Sequence, residues 1–343
     1  MTRRGRHIIL VLITGVLLGT LTAVLLIRHQ LLRPAAPASA SAAPTEQSGP
    51  GPGPAEIPVP SPEDRSEPTP EPAPLPTAEP EAGAVIAPGP GAAAAAQTTG
   101  TERSAAVREL FARFAGEHSG NWSLCFADLS GGEPAIRGGE EGPMVSASLI
   151  KLPIMGAVYE AIAAGRLDRA QCENWLGPMI TVSDNGSANA LVRLLGDGDE
   201  DRGMAAVNDW CRRQGLTDTR MLRLMLADNG LQNYTGAADC ARLLAAIYRG
   251  DCVSPEASRE MLSLLLQQQV NDRLPLGLPE GTPIAHKTGD LIGLCWADVG
   301  IVYSPGGDYV LCVISDGQAS EREAKSATAA LSREVYALMN PGQ

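Results

Sequence analysis

In SASLIKLP, Ser148 and Lys151 stand three residues apart at the head of an apolar run. If that run is helical, side chains three apart share one face and can meet, so the Lys amine can take the Ser proton. A seryl oxygen in a first helical turn also meets free backbone N–H groups and the positive end of the helix dipole, which favour an oxyanion. Alone, the pair is weak, because two fixed positions in four occur by chance in most chains and usually mark a solvated helix turn.

Two further clusters follow in order. VSDN supplies Ser183, Asp184 and Asn185, and AHKTGD supplies Lys287, Thr288, Gly289 and Asp290. Each has an ordinary explanation, SDN as a helix cap and KTG as an edge-strand end broken by glycine. Together with S-x-x-K they make the three-part set of class A β-lactamases and penicillin-binding proteins. From about residue 104 to 343 the chain resembles that superfamily.

The resemblance implies the roles. Ser148 attacks a carbonyl, Lys151 helps remove its proton, and Ser183 with Lys287 passes a proton to the leaving nitrogen. Asn185 holds the substrate amide, and Thr288 with Ser183 binds a substrate carboxylate. The backbone N–H groups of Ser148 and Asp290 form the oxyanion hole, Asp290 counting only through its backbone. Some relatives carry an Arg fourteen residues before the KTG lysine as a carboxylate clamp. Arg273 in NDRLPLGLP has that position, and a surface ion pair explains it equally well.

Two departures from the family pattern stand out. The interval from Ser183 to Lys287 is 104 residues, like that of class A enzymes, so the segment between them can be compared position by position. Where the family's Ω-loop has E-x-x-L-N, this chain has MLADN. Met225 stands at the Glu that positions the deacylating water, and Asn229 keeps the Asn. A thioether accepts no proton near neutral pH, so release of an acyl group is expected to be slow unless another group, such as Asp228, substitutes. The interval from Ser148 to Ser183, 35 residues, is shorter than in the family. That implies a reduced helical subdomain and a more open cleft.

The elements that must position these groups follow from periodicity. AAVRELFARFA has a helical period and NWSLCFADLSGG reads as a strand with a Gly-Gly turn. A helical middle carries IKLPIMGAVYEAIAAG, ANALVRLLG, MAAVNDWCRRQG and AADCARLLAAIYRG, each stopped or followed by Gly. TPIAHKTGDL, LCWADVGIVYSPGG and DYVLCVISDG return to strands before a closing helix in SATAALSREVYALMN. The expected fold is α/β (α+β), an antiparallel five-stranded sheet built from both chain ends, flanked by helices, with a reduced all-helical subdomain.

Residues 8–27 form an uncharged apolar run of twenty, the length of a membrane-spanning helix. A cleaved signal peptide fits less well, because the run is too long and the Ala-rich candidate cleavage sites lie far past it. The expected layout is a cytoplasmic terminus at 1–7, an anchor at 8–27, a Pro/Ala/Glu-rich tether at 28–103 and an extracytoplasmic catalytic domain at 104–343. Residues 34–98 hold seventeen of the 27 prolines, a composition that cannot bury a core. In a polyproline-like form, at about 3.1 Å per residue, the tether reaches roughly 200 Å.

Residues 34–98 carry eight acids and one Arg, a net of −7 out of the formal −12, and no basic stripe with interleaved aromatics argues for nucleic acid. The seven cysteines lack metal or redox spacing. Most read as core fillers. Cys125 and Cys312 sit in strand-like runs, and whether they pair is open. No metal or organic cofactor is called for, and a monomer is expected. Three functions follow: a β-lactam hydrolase with slow deacylation, a peptidoglycan D,D-peptidase or transpeptidase, and a feeble enzyme that senses β-lactams or peptidoglycan fragments.

Overall fold

The computed structural model describes residues 90–131 and 134–342. The expected anchor at 8–27 and most of the tether lie outside them. Among the described residues no helix is long and apolar enough to cross a membrane.

Helix α1, Pro90–Glu117, begins inside the segment expected to be tether. A proline in the first helical turn loses no hydrogen bond, and the alanine run after it is strongly helix-forming, so the helix extends upstream of the expected boundary at 104. Strands β1 (Asn121–Asp128) and β2 (Ile136–Gly139) follow, then the short β3 (Met144–Val145). A 3-10 turn at Ala147–Ile150 leads into α2 (Lys151–Ala163). The helical middle continues with α3 (Arg169–Thr181), α4 (Asn185–Leu195) and α5 (Glu200–Arg213). Short β4 (Tyr234–Thr235) precedes α6 (Ala237–Arg249) and α7 (Pro255–Leu266). A 3-10 turn at Leu274–Gly277, then β5 (Ile284–Leu291), β6 (Cys295–Val302), β7 (Tyr309–Asp316) and α8 (Glu321–Met339) complete the domain.

The sheet order is β2-β1-β7-β6-β5, antiparallel throughout. The chain ends therefore meet in one sheet, as expected from the sequence. All eight residues of β6 are buried, which requires cover on both faces. One apolar cluster, with Phe111, Trp122, Leu331 and Val335, joins the sheet to α1 and α8. The other, with Ile154, Leu191, Trp210 and Leu244, joins it to the helical middle.

Helix α2 is the axis of that second layer. Ten of its thirteen residues are buried, so it is apolar nearly all round rather than amphipathic. Gly156 lets it pass close to α5, because a Cβ there would run into the Trp210 ring. The consequence for chemistry is that Lys151, at the start of this helix, is withdrawn from water.

All seven cysteines are buried thiols. Cys125 and Cys312 stand directly opposite one another on β1 and β7 and are unbridged. Burial pushes both thiols well above their usual range. They serve as small core residues.

Candidate active site

Ser148 lies in the 3-10 turn rather than in the first α-helical turn. In a 3-10 turn residues i and i+3 eclipse one another, which stacks Lys151 directly over Ser148. The Lys151 Nζ is 3.0 Å from Ser148 Oγ. The preceding residue, Ala147, has a φ of 43°, a left-handed conformation that costs a non-glycine residue about 1–3 kcal/mol and persists where surrounding structure holds it.

Ser183 and Asn185 come from the junction of α3 and α4. Asp184 caps α4, its carboxylate accepting from Ser187 N at 2.6 Å. Hydrogen bonding from the Ser187 side chain, and then from its backbone N–H, holds the Asp184 carboxyl below the usual range. The cap fixes the turn on either side of itself, and Ser183 takes a left-handed φ of 59°. The helix cap therefore also fixes where Ser183 and Asn185 stand.

Lys287 is fully buried on β5, the edge strand next to this turn. Its Nζ donates to Ser183 Oγ at 3.0 Å and to the Thr288 carbonyl at 2.8 Å. Gly289 permits the approach of β5 to the Ser148 turn, since a Cβ there would lie 3.1 Å from both Ser146 O and Leu149 Cγ. The result is a continuous polar chain: Ser148, Lys151, Ser183, Lys287.

The contacts of Lys151 decide what its amine can do. Besides the two hydroxyls, Nζ meets Ser183 O at 2.5 Å and Asn185 Oδ1 at 2.8 Å, with Ser183 Oγ at 3.1 Å. The two carbonyls can only accept. A neutral amine gives its two protons to them and keeps its lone pair for a hydroxyl proton. Burial draws the Lys151 ammonium down to about 8, opposed by the Asp184 charge. Burial first and then the Lys151 charge draw Lys287 to about 7, opposed by Asp298 and Asp290. Two buried amines linked through one hydroxyl favour sharing fewer than two protons.

The other expected residues divide. Thr288 Oγ1 is buried and has no hydrogen-bond partner in the protein, an arrangement that costs about 1–3 kcal/mol when nothing is bound. Arg273 is brought to β5, but its side chain is only 1% exposed and its Nη2 donates to Asp290 Oδ1. The guanidinium thus faces a carboxylate of the protein itself, and Asp290 counts through its side chain as well as its backbone. Asn229 is exposed, its Oδ1 accepting from Leu231 N at 3.1 Å, so it holds its own loop and does not join the group. Asp228 is also exposed.

Met225 is 8% exposed, and its backbone is held at both ends by one side chain. Asn189 Oδ1 accepts from Met225 N at 2.8 Å and Asn189 Nδ2 donates to Met225 O at 3.0 Å. Sequence reasoning missed Asn189. It lies four residues after Asn185 on α4, on the same helix face, and that spacing was the available signal. Asn233 closes the loop's base, its Oδ1 accepting from Leu222 N and Arg223 N at 2.8 and 3.0 Å.

A five-stranded antiparallel sheet between helical layers, with a Ser–Lys–Ser–Lys chain at its edge strand, defines a hydrolase of the serine β-lactamase and penicillin-binding kind. A profile of the Beta-lactamase enzyme family matches residues 102–173 and 169–339, and the chain belongs to that family. Among solved structures, PBP-A is 28% identical, with a TM-score of 0.58 over 69% of this chain and 95% of that one. A leucine-to-glutamate mutant of PBP-A, described as an acyl-enzyme complex with penicillin G, is 27% identical, with a TM-score of 0.59 over the same shares. A β-lactamase from Sphaerobacter thermophilus is 25% identical, with a TM-score of 0.57 over 69% of this chain and 97% of that one. No curated protein matches.

Proposed function

We propose that β-lactams acylate Ser148 and that the acyl group leaves slowly. The observation that carries this reading is the unbroken contact from Ser148 Oγ through Lys151 Nζ and Ser183 Oγ to Lys287 Nζ. Neutral Lys151 takes the Ser148 proton as Oγ attacks the carbonyl carbon. The proton then reaches the leaving nitrogen through Ser183, with Lys287 stabilising the charge that develops. The substrate carboxylate lies against Lys287, Ser183 and the unpartnered Thr288 hydroxyl. Asn185 holds the substrate amide, and the N–H groups of Ser148 and Asp290 receive the oxyanion.

Slow release rests on Met225, whose thioether offers no base where the family has a carboxylate. The same feature, with the likeness to PBP-A, favours as the second reading a peptidase acting on D-Ala-D-Ala peptides. The apolar run at 8–27 and the Pro-rich tether suit a domain held outside the cytoplasmic membrane within reach of peptidoglycan.

Intact-mass measurement after mixing with a penicillin is expected to give one adduct of the antibiotic's full mass that persists after free drug is removed. Adduct turnover within seconds contradicts slow release. Steady hydrolysis of a D-Ala-D-Ala peptide favours the peptidase.

The pH profile of acylation is a second expected result. The competent form carries one proton, on Lys287 rather than on Lys151. Burial lowers Lys287 to about 7 and Lys151 only to about 8, so before substrate binds this arrangement is the minor of the two one-proton forms. Losing the first of two protons creates this state, and losing the second removes the charge facing the substrate carboxylate. Acylation is therefore expected to rise and then fall, with limbs near about 7 and about 8 that belong to the pair and to neither lysine alone. Rapid-mixing labelling across that range checks it, and a flat profile contradicts the assigned proton transfers.

A further inference from the structure

Arg273 sits in a segment pinned on both sides. His286 Nδ1 lies 2.9 Å from Asp298 Oδ1, and His286 Nε2 lies 2.9 Å from Asn271 Oδ1. Leu274 N donates to Asp298 Oδ2 at 3.1 Å, and Ser332 Oγ donates to Leu274 O at 2.9 Å. His286, Asp298 and Leu274 are buried, so the clamp is shielded from water at residue 274, while Asn271 at its other end is exposed. The guanidinium between them has little freedom to swing into the cleft.

Its exposure tells the same story. Nε and Nη1 are buried without hydrogen-bond partners, Nη1 lies 3.5 Å from the Asp272 carboxylate as a second ion pair, and Nη2 is taken by Asp290. The Asp290 side chain is 40% exposed and stands on β5 three residues after Lys287. Of this ion pair, the carboxylate is the exposed partner and the guanidinium is buried. Lys325, which faces the same cluster, is taken up by Asp272 and Glu321.

We propose that Asp290 sets the charge selectivity of the cleft: its carboxylate caps Arg273, leaving Lys287 as the cation offered to a substrate carboxylate and disfavouring substrates with a second negative charge nearby. This rests on the acyl-transfer reading above. A carboxylate at the cleft edge repels an anion approaching Lys287, and pairing with Arg273 cancels the attraction the guanidinium would supply. Burial raises the Asp290 carboxyl overall, opposed chiefly by the Arg273 charge.

The test compares wild type with Asp290→Asn and Asp290→Ala, which keep the backbone N–H and change an exposed side chain. Acylation rate constants are measured with three penicillins: the monoanion, an analogue with a second carboxylate on its acyl side chain, and the uncharged ester. Both variants are expected to react faster with the monoanion by roughly tenfold, equivalent to about 1.4 kcal/mol. The gain is expected to be larger for the dianion and absent for the ester. Equal acceleration of all three would show a steric effect and overturn the proposal. Unchanged rates in a protein that is acylated at Ser148 overturn it alone. Absence of acylation in every protein overturns the acyl-transfer reading and this inference with it.

Discussion

Ser148→Ala is expected to abolish the penicillin adduct, lowering covalent labelling by at least ~10³-fold while the fold persists. The expectation of an intact fold has a structural reason. Ser148 Oγ meets Lys151 Nζ, and that amine retains two carbonyl acceptors, Ser183 O and Asn185 Oδ1, when the hydroxyl is gone. No buried carbonyl loses its donor. Lys151→Ala is a different case, because it strips both carbonyls of their partner and leaves a hole at the start of the buried helix α2. Its loss of labelling would mix chemistry with about 1–3 kcal/mol of structural cost for each unpaired group. Ser183→Ala separates the roles further. It keeps the nucleophile and base but cuts the link to Lys287, so labelling is expected to be slowed and still measurable. Intact-mass labelling together with circular dichroism checks all three. A Ser148→Ala protein that still forms the adduct would place the nucleophile elsewhere.

The residues behind that prediction were legible in the sequence because their spacing is local or their motif is distinctive. Ser148 and Lys151 are three apart, and the structure only changed the kind of turn, from α to 3-10. The strands at Asn121–Asp128, Ile284–Leu291, Cys295–Val302 and Tyr309–Asp316 carry β-branched and apolar runs between turn residues. Strand β2 does not. Its sequence is IRGG, and Gly138 is there because a Cβ would lie 2.6 Å from Phe111 Cβ, a packing demand that no local pattern announces. Helix α3 is obscured in the same way by Gly177 and Pro178 within it, and its Asp168 cap is an easily overlooked signal.

Contacts between distant segments were not legible. Asn189 reaches Met225 across 36 residues, and His286 reaches Asn271 and Asp298 from a strand whose neighbours drew attention to Lys287 instead. Arg273 illustrates the limit best. Its distance from Lys287 in the sequence suggested a cation for the substrate, but the side chain of Asp290, three residues beyond Lys287, faces it in the fold. Spacing drew attention to the guanidinium and could not say which carboxylate it meets.

Met225→Glu is expected to speed release of the acyl group by about 10²–10⁴-fold, the usual contribution of a positioned general base. The placement argument comes from α4. Asn185 Oδ1 accepts a hydrogen bond from Lys151, and Asn189, one helical turn along the same face, holds both backbone polar groups of Met225. Residue 225 is thus held, through Asn189, one helical turn along α4 from Asn185, the partner of the Lys151 amine. A glutamate introduced there would be largely buried, which raises its pKa toward the range where it is both a competent base and partly ionised near neutral pH. Burying that carboxyl in place of a thioether costs about 1–3 kcal/mol, so a lower melting temperature is expected alongside faster release. Met225→Gln supplies the matching shape without the base and is expected to leave release unchanged. Pulse-labelling with a fluorescent penicillin, followed by a chase with unlabelled drug, reads the release rate directly. Release from Met225→Glu at the wild-type rate, with labelling intact, would mean that residue 225 does not face the acyl ester, and slow deacylation would then need another cause.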